Sequence, residues 1–82
     1  MKTIEFKFTI VSIRAADRAK YLALASAIAE YWYCEVGGQA HDFVLDTRTD
    51  NAQIAYARKH CFQRALEAID IALDIHCEVI HE

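Results

Sequence analysis

Seven side chains in this 82-residue chain belong to types that ligate metals or act as nucleophiles: Cys34, Cys61, Cys77, His41, His60, His76 and His81. Imidazole and thiolate are preferred zinc ligands. A thiolate beside an imidazole is also the working pair of a cysteine nucleophile. The spacing speaks against both chemistries. His60-Cys61 and His76-Cys77 are adjacent pairs, and adjacent residues point to opposite faces of a strand or stand about 100° apart on a helix. Neither pair chelates alone, and the chain has no C-x-x-C and no H-x-x-x-H. One candidate set remains, Cys34 with His41 across a hairpin, joined by Cys77 from the final strand. Cysteine is among the most buried residue types, so the simpler expectation for these thiols is core packing. No third group to orient the imidazole and no oxyanion hole is evident. The expectation is therefore a protein that is not an enzyme and holds no metal or cofactor, with a small thiol or metal site at Cys34, His41 and Cys77 as the rival.

Carboxylates are more informative. From Ala65 to the end stand Glu67, Asp70, Asp74, Glu78 and Glu82, with no lysine or arginine among them. On a continuous helix Glu67, Asp70 and Asp74 fall at i, i+3 and i+7, on one face. Acidic groups near a helix C-terminus oppose the macrodipole, at a cost of a few tenths of a kcal/mol each. A locally unfavourable arrangement of this kind points to an acidic surface that docks on a basic partner, such as a nucleic-acid-binding protein. Tyr31 and Tyr33 add aromatic anchors of the type common in interfaces.

Composition narrows the partner. A formal net charge of −3 gives no general attraction to a phosphate backbone, and the aromatics are not set among basic residues. Direct nucleic-acid binding is not expected. The longest uncharged run in the first helical segment, Tyr21 to Ala29, is too short to span a bilayer. Met1 to Lys7 alternates charged and apolar residues, unlike a signal peptide. An odd number of cysteines without an export signal fits reduced thiols, so the expected setting is cytoplasmic.

The elements that must position these groups can be read from periodicity. Eighty-two residues with 55% hydrophobic content make a single domain over 1–82. Ile4, Phe6, Phe8 and Ile10 alternate with polar residues, as in a half-buried strand. The parity changes at Val11, which suggests a bulge or an end buried on both faces. Asp17 is a candidate N-cap for an alanine- and leucine-rich helix from Arg18 to about Glu30. Tyr31 to Val36 is rich in aromatic and β-branched residues, and a second strand-like run ends at Leu45. Between them lie Gly37 and Gly38, the only two glycines. A two-residue turn there would set Val36 opposite Gln39, Cys34 opposite His41 and Trp32 opposite Phe43. Tyr31, Tyr33, Glu35, Asp42 and Asp46 would then share the solvent-facing side. In the alternative, Gly37 caps the preceding helix and only three strands remain, in a βαβαβ order. Asp50 and Gln53 resemble a capping box for a helix from Asn51 to about Asp74. Its apolar face would carry Ile54, Cys61, Phe62, Ala65, Ile69, Ala72 and Leu73, interrupted by a snorkelling Arg58. Ile75, Cys77 and Val79 alternate as a last strand.

The order β-α-β-β-α-β resembles the ferredoxin-like arrangement, an α+β fold with a four-stranded antiparallel sheet and both helices on one face. The resemblance is one of topology, spans the whole chain and rests on no motif. It leaves function open. Glycine-rich loops, a metal-chaperone cysteine motif and an RNA-binding aromatic run are all missing. The expectation is a small protein-binding module acting through the open sheet face, the first helix or the acidic second helix. Its partner would be a protein with a basic surface or a second copy of this chain. A short acidic domain without catalytic residues fits the class of small inhibitors encoded by phages and other mobile elements, including anti-CRISPR proteins.

Overall fold

A computed structural model describes residues 2–39, 42–70 and 73–81 of the chain. Along it run β1 (Glu5–Ile10), a short 3-10 turn (Ala15–Asp17), α1 (Arg18–Tyr31), β2 (Glu35–Gly37), β3 (Asp42–Asp46), α2 (Ala52–Ile69) and β4 (Ile75–His81). The strands form one antiparallel sheet in the order β2-β3-β1-β4. This is the ferredoxin-like α+β arrangement with four strands, so Gly37 is not a helix cap and the three-stranded alternative does not hold.

The alternation in β1 does what its period requires. Ile4, Phe6, Phe8 and Ile10 are buried under the helices, while Glu5, Lys7 and Thr9 lie on the other face of the sheet. Phe43 and Leu45 of β3 join the same core, with Ala25 and Ala29 of α1 and Ala55, Phe62 and Leu66 of α2. The Phe8 and Phe62 rings meet at 5.2 Å between centroids. Small residues at Ala25 and Ala29 let α1 lie close to the sheet. At the end of β1 the parity change comes from neither a bulge nor double burial. The strand stops at Ile10, Val11 is exposed in a turn, and the chain re-enters the core at Ile13.

Asp17 is the N-cap of α1, but its side chain makes no capping bond and instead accepts from Arg14 Nε at 3.0 Å. The end of α1 differs from the sequence expectation more sharply. Tyr31 still belongs to the helix, and Tyr33 takes the left-handed conformation, φ 63°. Tyr33 N–H donates to Glu30 C=O at 3.1 Å and Cys34 N–H to Ala29 C=O at 2.7 Å. That is a Schellman end, normally built on glycine, with buried Cys34 and Ala29 supplying its apolar contact. Tyr31 and Tyr33 are therefore not strand residues. The hairpin pairs Val36 with Leu45 and Gly37 with Val44, not Val36 with Gln39. Its turn is longer than two residues, with only Gly38 among the glycines at positive φ, 116°. The shift preserves which residues share a face, so Cys34, Val36, Phe43 and Leu45 stay together on the helix side. His41 and Ala40 lie outside the described residues.

The second helix is shorter and rotated relative to expectation. Asn51, not Asp50, is its N-cap, accepting from Ile54 N–H at 3.0 Å. The buried seam is Ala55, Phe62 and Leu66, while Ile54 and Ile69 remain exposed. Phe62 is buried as expected, and a turn of the helix by less than the roughly 100° of one residue brings Ala55 and Leu66 inward while leaving Ile54 and Ile69 outside. Ala72 lies outside the described residues. Leu73 is beyond the helix and packs on the core from the connection to β4. Arg58 is half-buried; its guanidinium donates to Thr47 C=O at 2.7 Å and lies 5.7 Å from the Tyr33 ring centre.

Candidate interaction surface

The predicted acidic helix face is dispersed. Glu67 is exposed on α2, but Asp70 ends the helix with extended backbone and accepts from Tyr21 O–H at 3.2 Å. Burial, and then this hydrogen bond, raises the Tyr21 phenol above its ordinary value. Asp74 is past the helix, where its N–H donates to Ser12 Oγ at 3.3 Å and its carboxylate lies 3.7 Å from His76 Nε2. Glu67, Asp70 and Asp74 therefore do not share one helical stripe. A cleft of about 250 Å³ between the β1–α1 and α2–β4 connections is lined by Ser12, Arg14, Asp17, Tyr21 and Asp70. Its polar groups already pair with one another, Arg14 with Asp17 and Tyr21 with Asp70.

The thiols are also apart. Carried one step further, the hairpin register sets position 34 against Thr47 and not against 41. Cys34 belongs to the β2 edge and Cys77 to β4 at the opposite edge. With β3 and β1 between them, three inter-strand spacings, roughly 14 Å, separate the two across the sheet, and the register adds four residues, roughly 13 Å, lengthwise. Among the described residues no three metal-ligating side chains converge. Cys34 is fully buried and its thiol donates to Trp32 C=O at 3.4 Å. Burial pushes both Cys34 and Cys77 above the ordinary thiol value, the opposite of what a nucleophile needs.

What the fold does bring together is acidic residues from all four strands, on the face away from the helices. The ladder register sets Glu35, Asp46 and Glu5 side by side across β2, β3 and β1. The next row holds Gly37, Val44, Lys7 and Glu78, and the third holds Asp42, Thr9 and His76. Five carboxylates thus share this face with Lys7, and Arg48 reaches it from the end of β3. Like charges directly opposite each other disfavour pairing by up to about 1 kcal/mol. Local bonds offset this. Asp46 accepts from Thr3 Oγ1 at 2.7 Å and from Arg48 N–H at 2.9 Å, and Arg48 Nη2 donates to Glu35 at 3.0 Å. Arg48 adopts φ 55° to make both contacts. Thr9 donates to Asp42 at 3.0 Å, and Lys7 pairs with Glu78 at 2.9 Å. That bond, and the Glu78 charge, raise the Lys7 ammonium above its ordinary value.

Because Gly37 has no side chain and nothing lies within 4 Å of where one would project, the face dips there. The depression, about 340 Å³, is walled by Glu5, Glu35 and Asp46 and floored by Gly37 and Val44. Sequence reasoning set Glu35, Asp42 and Asp46 on one solvent-facing side, but it did not join Glu5 and Glu78 to them or read the set as a site. The signal was available in the alternation of β1 and β3, whose solvent-side positions include Glu5, Asp42 and Asp46. The two tyrosines belong elsewhere. Tyr31 and Tyr33 are 75% and 72% exposed at the end of α1, on the helix side, with Tyr31 edge-on to Trp32.

Among the described residues no helix is long and apolar enough to cross a membrane. The fold is similar to that of a Thermotoga maritima protein provisionally designated a thiamine biosynthesis/salvage protein, with a TM-score of 0.62 over 99% of this chain and 85% of that one. The two are 8% identical, so the likeness concerns the fold alone. No family model matches the chain. No curated protein matches it either.

Proposed function

We propose that this protein is a non-enzymatic binding module whose open sheet face docks on the basic surface of another protein, of the kind that contacts nucleic acid. The observation that carries the reading is the set of carboxylates of Glu5, Glu35, Asp42, Asp46 and Glu78, held on one rigid sheet. Side chains two apart on a strand are about 7 Å apart and neighbouring strands about 5 Å apart. With Lys7 and Arg48 as its cations among the described residues, this face of five carboxylates stays net negative, and each carboxylate oxygen can accept a further, charge-assisted bond from an incoming arginine or lysine. Electrostatic complementarity would also speed encounter with a basic target and exclude acidic ones. Occupying a nucleic-acid-binding surface in this way is how a small acidic inhibitor from a phage or other mobile element, such as an anti-CRISPR protein, would act. On this reading the partner meets the sheet and not the helix, since Asp70 and Asp74 lie beyond the regular part of α2 and only Glu67 of the expected helical trio stands within it.

The test is site-specific photocrosslinking in native cells. A benzophenone side chain at position 44, in the middle of the acidic face, should capture a nucleic-acid-binding protein. That protein's own nucleic acid should compete with capture, and E5K/E35K should abolish it. Capture only from a probe at position 27 on α1, or capture that survives the charge reversal, overturns the proposal.

A further inference from the structure

The two edges of the sheet differ. On one side β2 has only three residues, Glu35–Gly37, too short to recruit another strand. On the other, β4 runs for seven residues, Ile75–His81, and its outer edge has no partner among the described residues. An unpaired strand edge is a template for a further strand. Its ladder to β1 is regular from Ile75 to Val79 and then breaks, because Phe6 pairs with Val79 while Glu5 pairs with His81, leaving Ile80 as an extra residue. A bulge bends and twists the edge, so regular pairing ends there. The flat part is therefore Ile75–Val79, and Cys77 is its centre.

We propose that two copies of this chain pair antiparallel along β4, about a two-fold axis through Cys77, to make one eight-stranded sheet. In that register His76 of one copy stands opposite Glu78 of the other, twice, on the open face. Ile75 stands opposite Val79, twice, on the helix face, covering a valine that is 39% exposed in the single chain. Other registers are worse. Slipping by one residue sets the two faces against each other. An axis through Glu78 opposes the two Glu78 carboxylates, and an axis through His76 opposes Asp74 to Glu78; like charges in direct opposition are unfavourable. Only the Cys77 axis uses the whole flat segment, pairs opposite polarity on one face and apolar groups on the other. The inference does not depend on the acidic-docking reading, although the dimer would join two acidic faces edge to edge.

On-axis residues of an antiparallel pair have Cα atoms about 4.5 or 5.5 Å apart, within disulfide range. Diamide treatment of the unmodified protein supplies the oxidant: two thiols give one disulfide, and diamide takes both protons and both electrons to become the hydrazine. The expected product is a dimer linked Cys77 to Cys77 in peptide maps. Sedimentation velocity over a concentration series should show the same dimer without oxidant; a five-residue edge is smaller than a standard interface, so the association is weak. H76E should weaken it about tenfold by opposing two carboxylates twice, and H76E/E78H should restore it. His76 and Glu78 are exposed, so neither change threatens the core. Crosslinks through Cys34 or Cys61, a monomer throughout the series, or a double variant no better than H76E overturns the proposal.

Discussion

Replacing Gly38 by alanine should destabilise the protein severely, while the same change at its neighbour Gly37 should not. At Gly38 the backbone has φ 116°, and a Cβ would sit 2.4 Å from the Asp42 carbonyl oxygen and 3.1 Å from its carbon. Neither contact can be relieved by turning a side chain, because both atoms are backbone. The positive φ costs alanine about 1–2 kcal/mol, and displacing the start of β3 adds to this. A total of roughly 2–4 kcal/mol is a large share of the 5–15 kcal/mol that holds a small domain together. At about 4–8 °C per kcal/mol, the midpoint should fall by roughly 8–32 °C. Gly37 has an extended backbone and open space around it. Alanine there restricts the unfolded chain and should stabilise by about 0.4–1 kcal/mol. Thermal and urea unfolding of the two variants beside the unaltered protein measures the contrast. If G37A and G38A lie within about 0.5 kcal/mol of each other, the assignment of the left-handed position to Gly38 is wrong.

Two further outcomes follow from buried and paired groups. Thr47 is fully buried and its hydroxyl donates to Ile4 C=O at 2.7 Å. T47V keeps the shape and loses the bond, so urea unfolding should report a loss of about 1–2 kcal/mol; an unchanged midpoint would mean the bond contributes nothing. Alkaline pH should also destabilise. Burial raises Cys34, Cys77 and Tyr21 above ordinary values of 9.0, 9.0 and 10.0, and the Glu78 bond raises Lys7 above 10.5. Each shift favours the protonated form in the folded state, so its contribution is present below the ordinary value and lost as pH rises through the folded one. The melting temperature should hold to about pH 8 and decline beyond about pH 9, with Y21F removing the tyrosine share. A melting temperature that climbs between those limits and pH 11 contradicts the assignments.

The parts of the fold legible in the sequence are those written in period. Ile4 to Ile10 announced β1 and its buried face, and Ile75, Cys77 and Val79 announced β4. What stayed hidden depended on contacts between distant segments. Phe62 was legible as a core residue of α2, but nothing local favours Ala55 and Leu66 over Ile54 and Ile69 beside it; the sheet makes that choice. The left-handed end of α1 is invisible in the sequence because glycine is its usual occupant, and Tyr33 holds it instead. Register in the hairpin was misjudged because Gly37 and Gly38 look equivalent in sequence and only one has positive φ. The acidic surface was sought where carboxylates cluster along the chain, whereas the sheet collects Glu5, Glu35, Asp42, Asp46 and Glu78 from four separate strands.

Tyr33 at φ 63° carries a further meaning. A side chain at that position costs about 1–2 kcal/mol that glycine would not incur, and this one spends most of its surface in water. The molecule therefore keeps a reserve of stability uncollected at the point where α1 turns toward the sheet. The ring lies 5.7 Å from the Arg58 guanidinium, so a glycine there would relieve the backbone while removing a cation–π contact of about 0.5–1 kcal/mol.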